Sequence, residues 1–141
     1  MELEYLIEEA KNDLKYDKVN LSDSIHNIGN LISKWIEYHV QEKKIVFKLE
    51  KLLNELKTKK WLYYSGKSNP ETYKKNPFGL KLLKTDVPQF IDSDPEILKI
   101  REELNIQNEK LFVIDEVVKG LKSRSFEINS IIRWNEYLQG K

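Results

Sequence analysis

Apolar residues recur at steps of three and four through the N-terminal half of the chain, which is the period of an α-helix. The stripe comprises Ile25, Ile28, Ile32, Trp35, Val46, Leu49, Leu53 and Leu56. Ser22-Asp23-Ser24 offers an N-cap, and Gly66 supplies the left-handed position that commonly ends a helix. The pattern therefore predicts one long helix over residues 22–65, with His39 and Glu42 as polar positions on its stripe.

A second long helix is predicted from Pro95 to Gly140. Asp94 can cap it, Pro95 suits the first helical turn, and Glu96 favours the positive end of the helix dipole. The apolar positions that follow repeat at nearly 3.5 residues. They are Ile97, Ile100, Leu104, Leu111, Ile114, Val118, Leu121, Ile128 and Ile132.

The remaining segments are a short N-terminal helix and a long connection. Leu3, Leu6, Ile7, Ala10 and Leu14 predict a short amphipathic helix, followed by a turn near Asp17–Asn20. The connection 66–94 is long for a structureless loop, and Leu80–Ile91 has enough apolar residues for a short strand, as half of a strand pair, or for a turn of helix. We therefore predict an all-α protein, with two long antiparallel helices and a short N-terminal helix in a single domain, 1–141.

Both long helices carry apolar residues beyond one stripe. Leu31, Ile36, Val40 and Phe47 lie on the first helix, and Val113, Val117, Ile131 and Trp134 lie on the second. Because a two-helix hairpin has a thin core, we expect a helical homo-oligomer. The alternative is a monomeric three-helix bundle in which the N-terminal helix covers this surface.

Composition limits the class of protein further. The chain has 141 residues, 33% of them charged, and no cysteine, so it has neither disulfides nor thiolate metal sites. Its first residues are acidic and amphipathic, unlike a signal peptide, and no segment approaches eighteen apolar residues. We expect a cytoplasmic protein that is neither exported nor membrane-spanning and has no membrane partner.

Charge is distributed unevenly along the chain, although the net charge is only +1. Residues 1–42 carry four Lys/Arg and nine Asp/Glu, and residues 85–141 carry eight and eleven. Residues 43–84 carry twelve lysines and three glutamates, a net charge of +9. This segment would attract a polyanion. The alternative is a solvated lysine-rich face that acidic neighbours balance in the fold.

No catalytic, metal or cofactor site can be assigned. The Gly66-Lys67-Ser68 triplet lacks the earlier glycine of a phosphate-binding loop, because Trp61 stands there. His26 and His39 are thirteen residues apart, with no cysteine to complete a metal site. No nucleophile elbow is present. We therefore expect a binding protein without a cofactor.

The basic segment also contains aromatic rings, a combination typical of proteins that bind single-stranded nucleic acid. Lysines neutralise phosphates, and flat rings stack on unpaired bases. The candidate DNA-binding residues are Lys57, Lys59, Lys60, Trp61, Tyr63, Tyr64, Lys67, Tyr73, Lys74 and Lys75. The alternative for the rings is that Trp61 and one tyrosine close the hydrophobic end of the hairpin.

Three blocks of residues resemble the UvsY recombination mediators of T-even-like phages. They are Ser33-Lys34-Trp35 with His39 and Lys43-Lys44, the Tyr63–Lys67 turn with Asn69-Pro70-Glu71 and Tyr73, and Lys122–Ile128. The resemblance spans essentially the whole chain. It implies a non-enzymatic protein of the infected bacterial cell that binds single-stranded DNA and contacts a RecA-like phage recombinase and the phage single-strand-binding protein.

In that family the mediator helps the recombinase to replace the single-strand-binding protein on DNA. The resemblance implies a ring of about six or seven subunits and places DNA contacts at Lys59 and Lys60. This chain has Thr58 where the family has lysine, and Lys60 where it has arginine. The resemblance makes the C-terminal helix the oligomerisation element. Its stripe residues are Leu111, Ile114, Val118, Leu121, Ile128 and Ile132.

Two other classes of protein fit the charge pattern. One is a helical adaptor whose lysine-rich turn binds acidic protein tails without DNA, and the other is a coiled-coil scaffold with no ligand. Base stacking predicts that Tyr63→Ala and Tyr64→Ala lower DNA affinity, whereas both alternatives predict no effect on DNA.

Overall fold

The computed structural model describes residues 1–16 and 19–140. In that part of the chain it contains five helices and no strand. They are α1 (Leu3–Asp13), α2 (Leu21–Tyr64), α3 (Pro70–Lys75), α4 (Val87–Asp92) and α5 (Pro95–Leu138). The all-α prediction is confirmed, and the bounds of the two long helices agree with the predicted ones to within two residues. Part of the predicted turn near Asp17–Asn20, and Lys141, lie outside the described residues.

The predicted signals for the end of α2 and the start of α5 are both confirmed. Gly66 adopts φ 74°, and the amides of Gly66 and Lys67 donate to the carbonyls of Tyr63 and Leu62 at 3.2 and 2.8 Å. This is the Schellman arrangement, which satisfies carbonyls that the end of α2 would otherwise leave free. At the start of α5, Asp94 Oδ1 accepts the Glu96 amide at 2.9 Å.

The connection 66–94 is folded into two short helices. Asn69 caps α3 by accepting the Thr72 amide at 2.9 Å, and Pro70 occupies the first turn. In Leu80–Ile91 the strand alternative is wrong and the helix alternative is confirmed, since α4 forms there. Val87 and Ile91 are four residues apart and both buried, which matches the period of a helix and not that of a strand.

The chain forms two compact units. Unit 1 comprises residues 1–44 and 107–141, and unit 2 comprises residues 45–106. Each unit contains part of both long helices.

The core of unit 1 combines α1, the first half of α2 and the second half of α5. Its buried residues are Leu6, Ala10, Ile28, Trp35, Ile114, Val117, Leu121 and Ile128. The Gln107 side-chain amide donates to the buried Glu42 carboxylate and, at 2.9 Å, to the Glu42 carbonyl, while His39 lies 3.5 Å from Asp115. The residue number falls from Glu42 to His39 on α2 and rises from Gln107 to Asp115 on α5, so these parts of the two helices are antiparallel. Both polar positions on the α2 stripe thus have partners.

Carboxylates of α1 hold that helix against α2. Asp13 accepts the Lys34 ammonium at 2.7 Å and the Trp35 indole N–H at 2.8 Å. Glu9 accepts the Tyr38 hydroxyl at 3.0 Å and pairs with Lys34 at 2.7 Å. Burial alone would lower the pKa of Lys34, but the hydrogen bonds to these two carboxylates outweigh it and raise that pKa above its ordinary value.

The six residues assigned to oligomerisation lie in unit 1. Leu111, Ile114, Leu121 and Ile128 are buried, and Val118 and Ile132 are half-buried. Five of the six, Leu111 apart, belong to the core that α1 and α2 complete within a single chain. Their assignment to a surface between copies stays a prediction.

Unit 2 has a separate, smaller core. Val87, Ile91 and Ile97 are buried there, and Leu53, Leu56, Tyr64 and Leu82 pack against them. Helix α4 therefore contributes two of the buried residues, and its packing orders the connection that carries the candidate site.

Candidate nucleic-acid interface

The ten residues predicted to bind DNA all lie in unit 2, at the end of α2 and on the connection that follows. Five of them line a groove of about 670 Å³: Lys59, Lys60, Tyr63, Tyr64 and Lys67. Its polar wall also includes Ser68, Asn69, Thr72, Asn76, Asp94 and Glu96, which sequence reasoning did not assign to the site. The Asn69-Pro70 pair was the available signal, since it predicts a helix start and so a folded wall.

The other predicted residues lie outside this groove lining. Trp61 is 42% exposed, and its ring has the Lys67 ammonium 4.6 Å from its centroid. Lys57 is half-buried on α2, and Lys74 and Lys75 are exposed in the last turn of α3. Lys67 therefore connects the groove with the Trp61 ring.

The lysines of the groove differ in their partners. Lys60 Nζ lies 3.2 Å from Asp94 and 3.6 Å from Glu96, and only 18% of its side chain is exposed. Lys59 and Lys67 are exposed, and among the described residues neither forms an ion pair with a carboxylate. For a phosphate that enters the groove, the ammonium groups of Lys59 and Lys67 would therefore be available, whereas that of Lys60 is already neutralised by Asp94 and Glu96.

The tyrosine rings pack into an aromatic cluster. Tyr63 stacks on Tyr73 with ring centroids 5.5 Å apart and an interplanar angle of 19°. Phe78 lies 5.4 Å from Tyr63 and 5.2 Å from Tyr64, and Phe90 lies 5.8 Å from Tyr64. We call these five rings the aromatic cluster. It contains three of the predicted DNA-binding residues.

Each tyrosine hydroxyl of the aromatic cluster is hydrogen-bonded. The Tyr63 hydroxyl donates to the Asn76 carbonyl at 2.9 Å. The Tyr73 hydroxyl donates to the Tyr63 carbonyl at 2.8 Å and accepts the Ser68 amide at 3.2 Å. The Tyr64 hydroxyl donates to Asp94 at 2.6 Å. These bonds fix the connection to the end of α2.

The Tyr64–Asp94 pair has perturbed ionisation. Burial, together with the hydrogen bond to Asp94, raises the pKa of Tyr64 above its ordinary value. Burial alone would raise the pKa of Asp94, but hydrogen bonds from Tyr64 and the Glu96 amide, and the Lys60 ammonium, outweigh it and hold that pKa below its ordinary value. At neutral pH the groove therefore contains a carboxylate already satisfied by its own neighbours.

Charge segregation survives folding in reduced form. Unit 2 contains twelve Lys/Arg and nine Asp/Glu, a net charge of +3, and the whole chain has a net charge of +1, which leaves −2 for unit 1. The fall from the +9 of residues 43–84 has two sources: Lys43 and Lys44 lie in unit 1, and residues 85–106 carry six Asp/Glu and only two Lys/Arg. The unit with the groove nevertheless remains the basic one, as attraction of a polyanion requires.

The described part of the chain offers neither a metal site nor a membrane span. Within residues 1–16 and 19–140, no group of three or more His, Cys, Asp or Glu side chains is placed to hold a metal ion. None of the helices in these residues combines the length and apolarity needed to cross a membrane.

Comparison with known proteins agrees with this architecture. Residues 9–141 match the family model described as recombination, repair and ssDNA binding protein UvsY. The chain is 27% identical to the recombination protein UvsY of Enterobacteria phage T4 over 141 residues, covering 100% of both. Two crystal forms of the bacteriophage T4 recombination mediator protein UvsY also match. One has a TM-score of 0.88 at 26% identity, with 99% and 98% of the chains covered; the other has a TM-score of 0.84 at 25% identity, with 97% and 98% covered.

The fold and groove define a helical-hairpin protein with a basic, aromatic surface at one turn. The family match over nearly the whole chain is more specific. This protein belongs to the UvsY family of recombination proteins.

Proposed function

We propose that this protein is a recombination mediator that binds single-stranded DNA and helps to load a RecA-like recombinase by displacing a single-strand-binding protein. The observation that carries the proposal is the exposed pair Lys59 and Lys67 on the groove, beside the exposed ring of Trp61, in a member of the UvsY family. Cations without carboxylate partners attract phosphates, and an exposed ring offers a surface to an unpaired base.

The proposed activity involves no chemical step. Its support is the composition of the groove, which holds lysines, hydroxyls and amides, together with a carboxylate that its own neighbours already satisfy. Such groups can hold a strand in place. Binding energy alone then drives the exchange of one protein for another on DNA.

Homo-oligomerisation is part of the proposal. Near the C-terminal end of α5, Trp134, Tyr137 and Leu138 are 59, 70 and 65% exposed, and the Trp134 and Tyr137 rings stack 5.5 Å apart. We call these three residues the C-terminal apolar face. Contiguous exposed apolar surface of this kind favours contact with a second copy. Several copies would multiply one weak DNA site by avidity, and a strand held at several grooves would be bent away from its single-strand-binding protein.

The test is fluorescence anisotropy of labelled oligo-dT with the purified protein across a salt series. Log affinity should fall with log salt with a slope of about −0.7 for each phosphate neutralised. The Lys59→Ala/Lys67→Ala variant should bind more weakly and give a shallower slope. Lys119→Ala/Lys122→Ala removes the same charge from exposed positions of unit 1 and should leave the slope unchanged.

A second measurement addresses mediator activity. DNA is coated with a single-strand-binding protein, and recombinase filament assembly is followed with and without the mediator. We expect faster assembly with the wild type than with Lys59→Ala/Lys67→Ala. If the wild type bound no DNA at low salt, the proposal would be overturned, and the acidic-tail adaptor or the ligand-free scaffold would be favoured.

A further inference from the structure

We propose that Trp61 is the ring on which a DNA base stacks, with Lys67 placed for the phosphate of the same strand, and that Tyr63, Tyr64 and Tyr73 are positioning residues. The inference rests on the proposed DNA binding and assigns roles within it. The sequence prediction gave all four rings as candidate DNA-binding residues, with the alternative that Trp61 and one tyrosine close the hydrophobic end of the hairpin.

The faces of the three tyrosines are already in use. Tyr63 stacks on Tyr73 at 5.5 Å, and Tyr64 contacts Phe78 and Phe90. A base that stacked on a ring face already in such a contact would have to displace that contact, which has a stabilising energy of its own. A base therefore gains less from these rings than from an exposed ring that has no ring–ring contact to lose.

The hydroxyls prevent the rings from turning outward. Release of the Tyr63 ring would break its bond to the Asn76 carbonyl, and release of the Tyr73 ring would break its bonds to the Tyr63 carbonyl and the Ser68 amide. Release of the Tyr64 ring would leave the buried Asp94 carboxylate with one donor fewer. A lost partner for a buried polar group is costly.

Trp61 differs from the tyrosines both in its ring–ring contacts and in having no hydroxyl to hold its ring. It is 42% exposed, and none of the ring–ring contacts among the described residues involves it. Within the described part of the chain its ring contacts the Lys67 ammonium, which lies 4.6 Å from the ring centroid. Lys67 also lines the groove, so a strand with a base at Trp61 has its backbone beside a cation. Trp61 and Lys67 are thus neighbouring side chains, one placed for a base and the other for a phosphate.

Lys60 belongs with the positioning residues. Its ammonium lies between Asp94 and Glu96, and it fixes the first turn of α5 to the last turn of α2. Among the described residues, Lys59 and Lys67 form no ion pair with a carboxylate, and we assign the phosphate contacts to them. The resemblance to the family placed a DNA contact at Lys60, and the geometry assigns that contact to Lys67.

The test compares two labelled strands of equal length, oligo-dT and a base-free deoxyribose-phosphate strand. Removal of a stacking ring weakens binding only to the strand that has bases. Trp61→Ala should lower the affinity for oligo-dT at least about tenfold and leave the affinity for the base-free strand unchanged. Lys67→Ala should lower both affinities. Phe126→Ala, which removes a 78% exposed ring in unit 1, is the matched control and should change neither.

Conservative variants test the positioning role. Tyr63→Phe and Tyr73→Phe keep each ring and remove its hydroxyl. They should lower the melting temperature but preserve the ratio of the two affinities. A second readout compares the tryptophan fluorescence of the wild type with that of Trp61→Phe, which keeps a ring at this position and removes its indole. Oligo-dT should quench the wild type more than Trp61→Phe, and the base-free strand should quench neither.

The outcomes separate the two proposals. If the wild type bound neither strand at low salt, both this inference and the proposed DNA binding would fail. If the wild type bound both strands and Trp61→Ala kept the wild-type ratio, with equal quenching of the wild type and Trp61→Phe by oligo-dT, only the assignment of Trp61 would be overturned. A tyrosine variant that changed the ratio would overturn the positioning role.

Discussion

The hydroxyl of Tyr64, in the last turn of α2, donates a 2.6 Å hydrogen bond to the carboxylate of Asp94, which caps α5. The Lys60 ammonium lies 3.2 Å from the same carboxylate. With the Glu96 amide, three groups from two helix ends thus contact the side chain of Asp94, a buried residue that is 4% exposed. Asp94 is therefore central to the stability of the basic, aromatic end of unit 2.

Asp94→Ala should lower the free energy of unfolding by about 2 kcal/mol. The variant loses an N-cap, worth about 1 kcal/mol, and leaves the Tyr64 hydroxyl without its acceptor. Urea denaturation measures the change. Asp92→Ala is the control, because the Asp92 side chain is 60% exposed and pairs with Arg101, so its loss should cost less than about 0.5 kcal/mol. Equal losses in the two variants would contradict the role of Asp94.

The stability contributed by Asp94 should depend on pH in the acid range. Its pKa is lower in the folded protein than the ordinary value of 3.8, so the unfolded chain binds the proton first as pH falls. The contribution is complete above pH 3.8 and is lost as pH falls through the folded pKa. The difference in unfolding free energy between the wild type and Asp94→Asn should therefore be constant at neutral pH and shrink below pH 3.8. A difference that persisted unchanged in strong acid would refute this.

Two glycines should respond in opposite ways to alanine. Gly29 lies inside α2, and no other group lies within 4 Å of the position that an alanine Cβ would occupy, so Gly29→Ala should stabilise the protein by up to about 1 kcal/mol. Gly66 has φ 74°, so Gly66→Ala should destabilise it by about 1 kcal/mol. Thermal unfolding followed by circular dichroism gives both signs. A loss of stability in Gly29→Ala would show an unrecognised need for glycine there.

The attachment of α1 should depend on Asp13. Asp13→Ala removes the acceptor of the Trp35 indole N–H, and Trp35 is fully buried, so the loss should be about 1–3 kcal/mol. Glu8→Ala removes an exposed carboxylate paired with Lys11 and should change stability little. The near-ultraviolet circular dichroism of Trp35 should also change in Asp13→Ala. An unchanged spectrum and unchanged stability would exclude this anchoring role.

Oligomerisation should be sensitive to the C-terminal apolar face. Trp134→Asp with Leu138→Asp should reduce the mass measured by light scattering and preserve the helical content, because both side chains are exposed. Ile128→Asp should instead reduce helical content, since Ile128 is fully buried within unit 1. If the double variant kept the wild-type mass, the interface between copies would lie elsewhere.

The helices were predictable because their signals are local. The N-cap at Asp94 and the glycine at Gly66 act within a few residues, and both operate as the sequence indicated. The α5 stripe also predicted a buried face, but periodicity does not reveal what covers it. Ile114 and Ile128 are covered by α1 and α2 of the same chain.

The sequence was enough to locate the candidate site, but it could not assign a role to each residue there. Trp61 and Tyr64 are three residues apart, with the same basic neighbours, yet one ring is exposed and the other is packed. The difference depends on Asp94 and Phe90, which are about thirty residues further along the chain. Such contacts depend on tertiary structure, so residue type and local spacing could not predict them.

The aromatic cluster has a thermodynamic consequence for binding. The stack of Tyr63 on Tyr73 and the hydroxyl bonds to the Asn76 and Tyr63 carbonyls are contacts within the chain, and they order the connection. The proposed association with DNA would then avoid the conformational entropy loss of coupled folding. Calorimetry should accordingly find a small heat-capacity change on binding, in contrast to the large negative value of a segment that folds on its target.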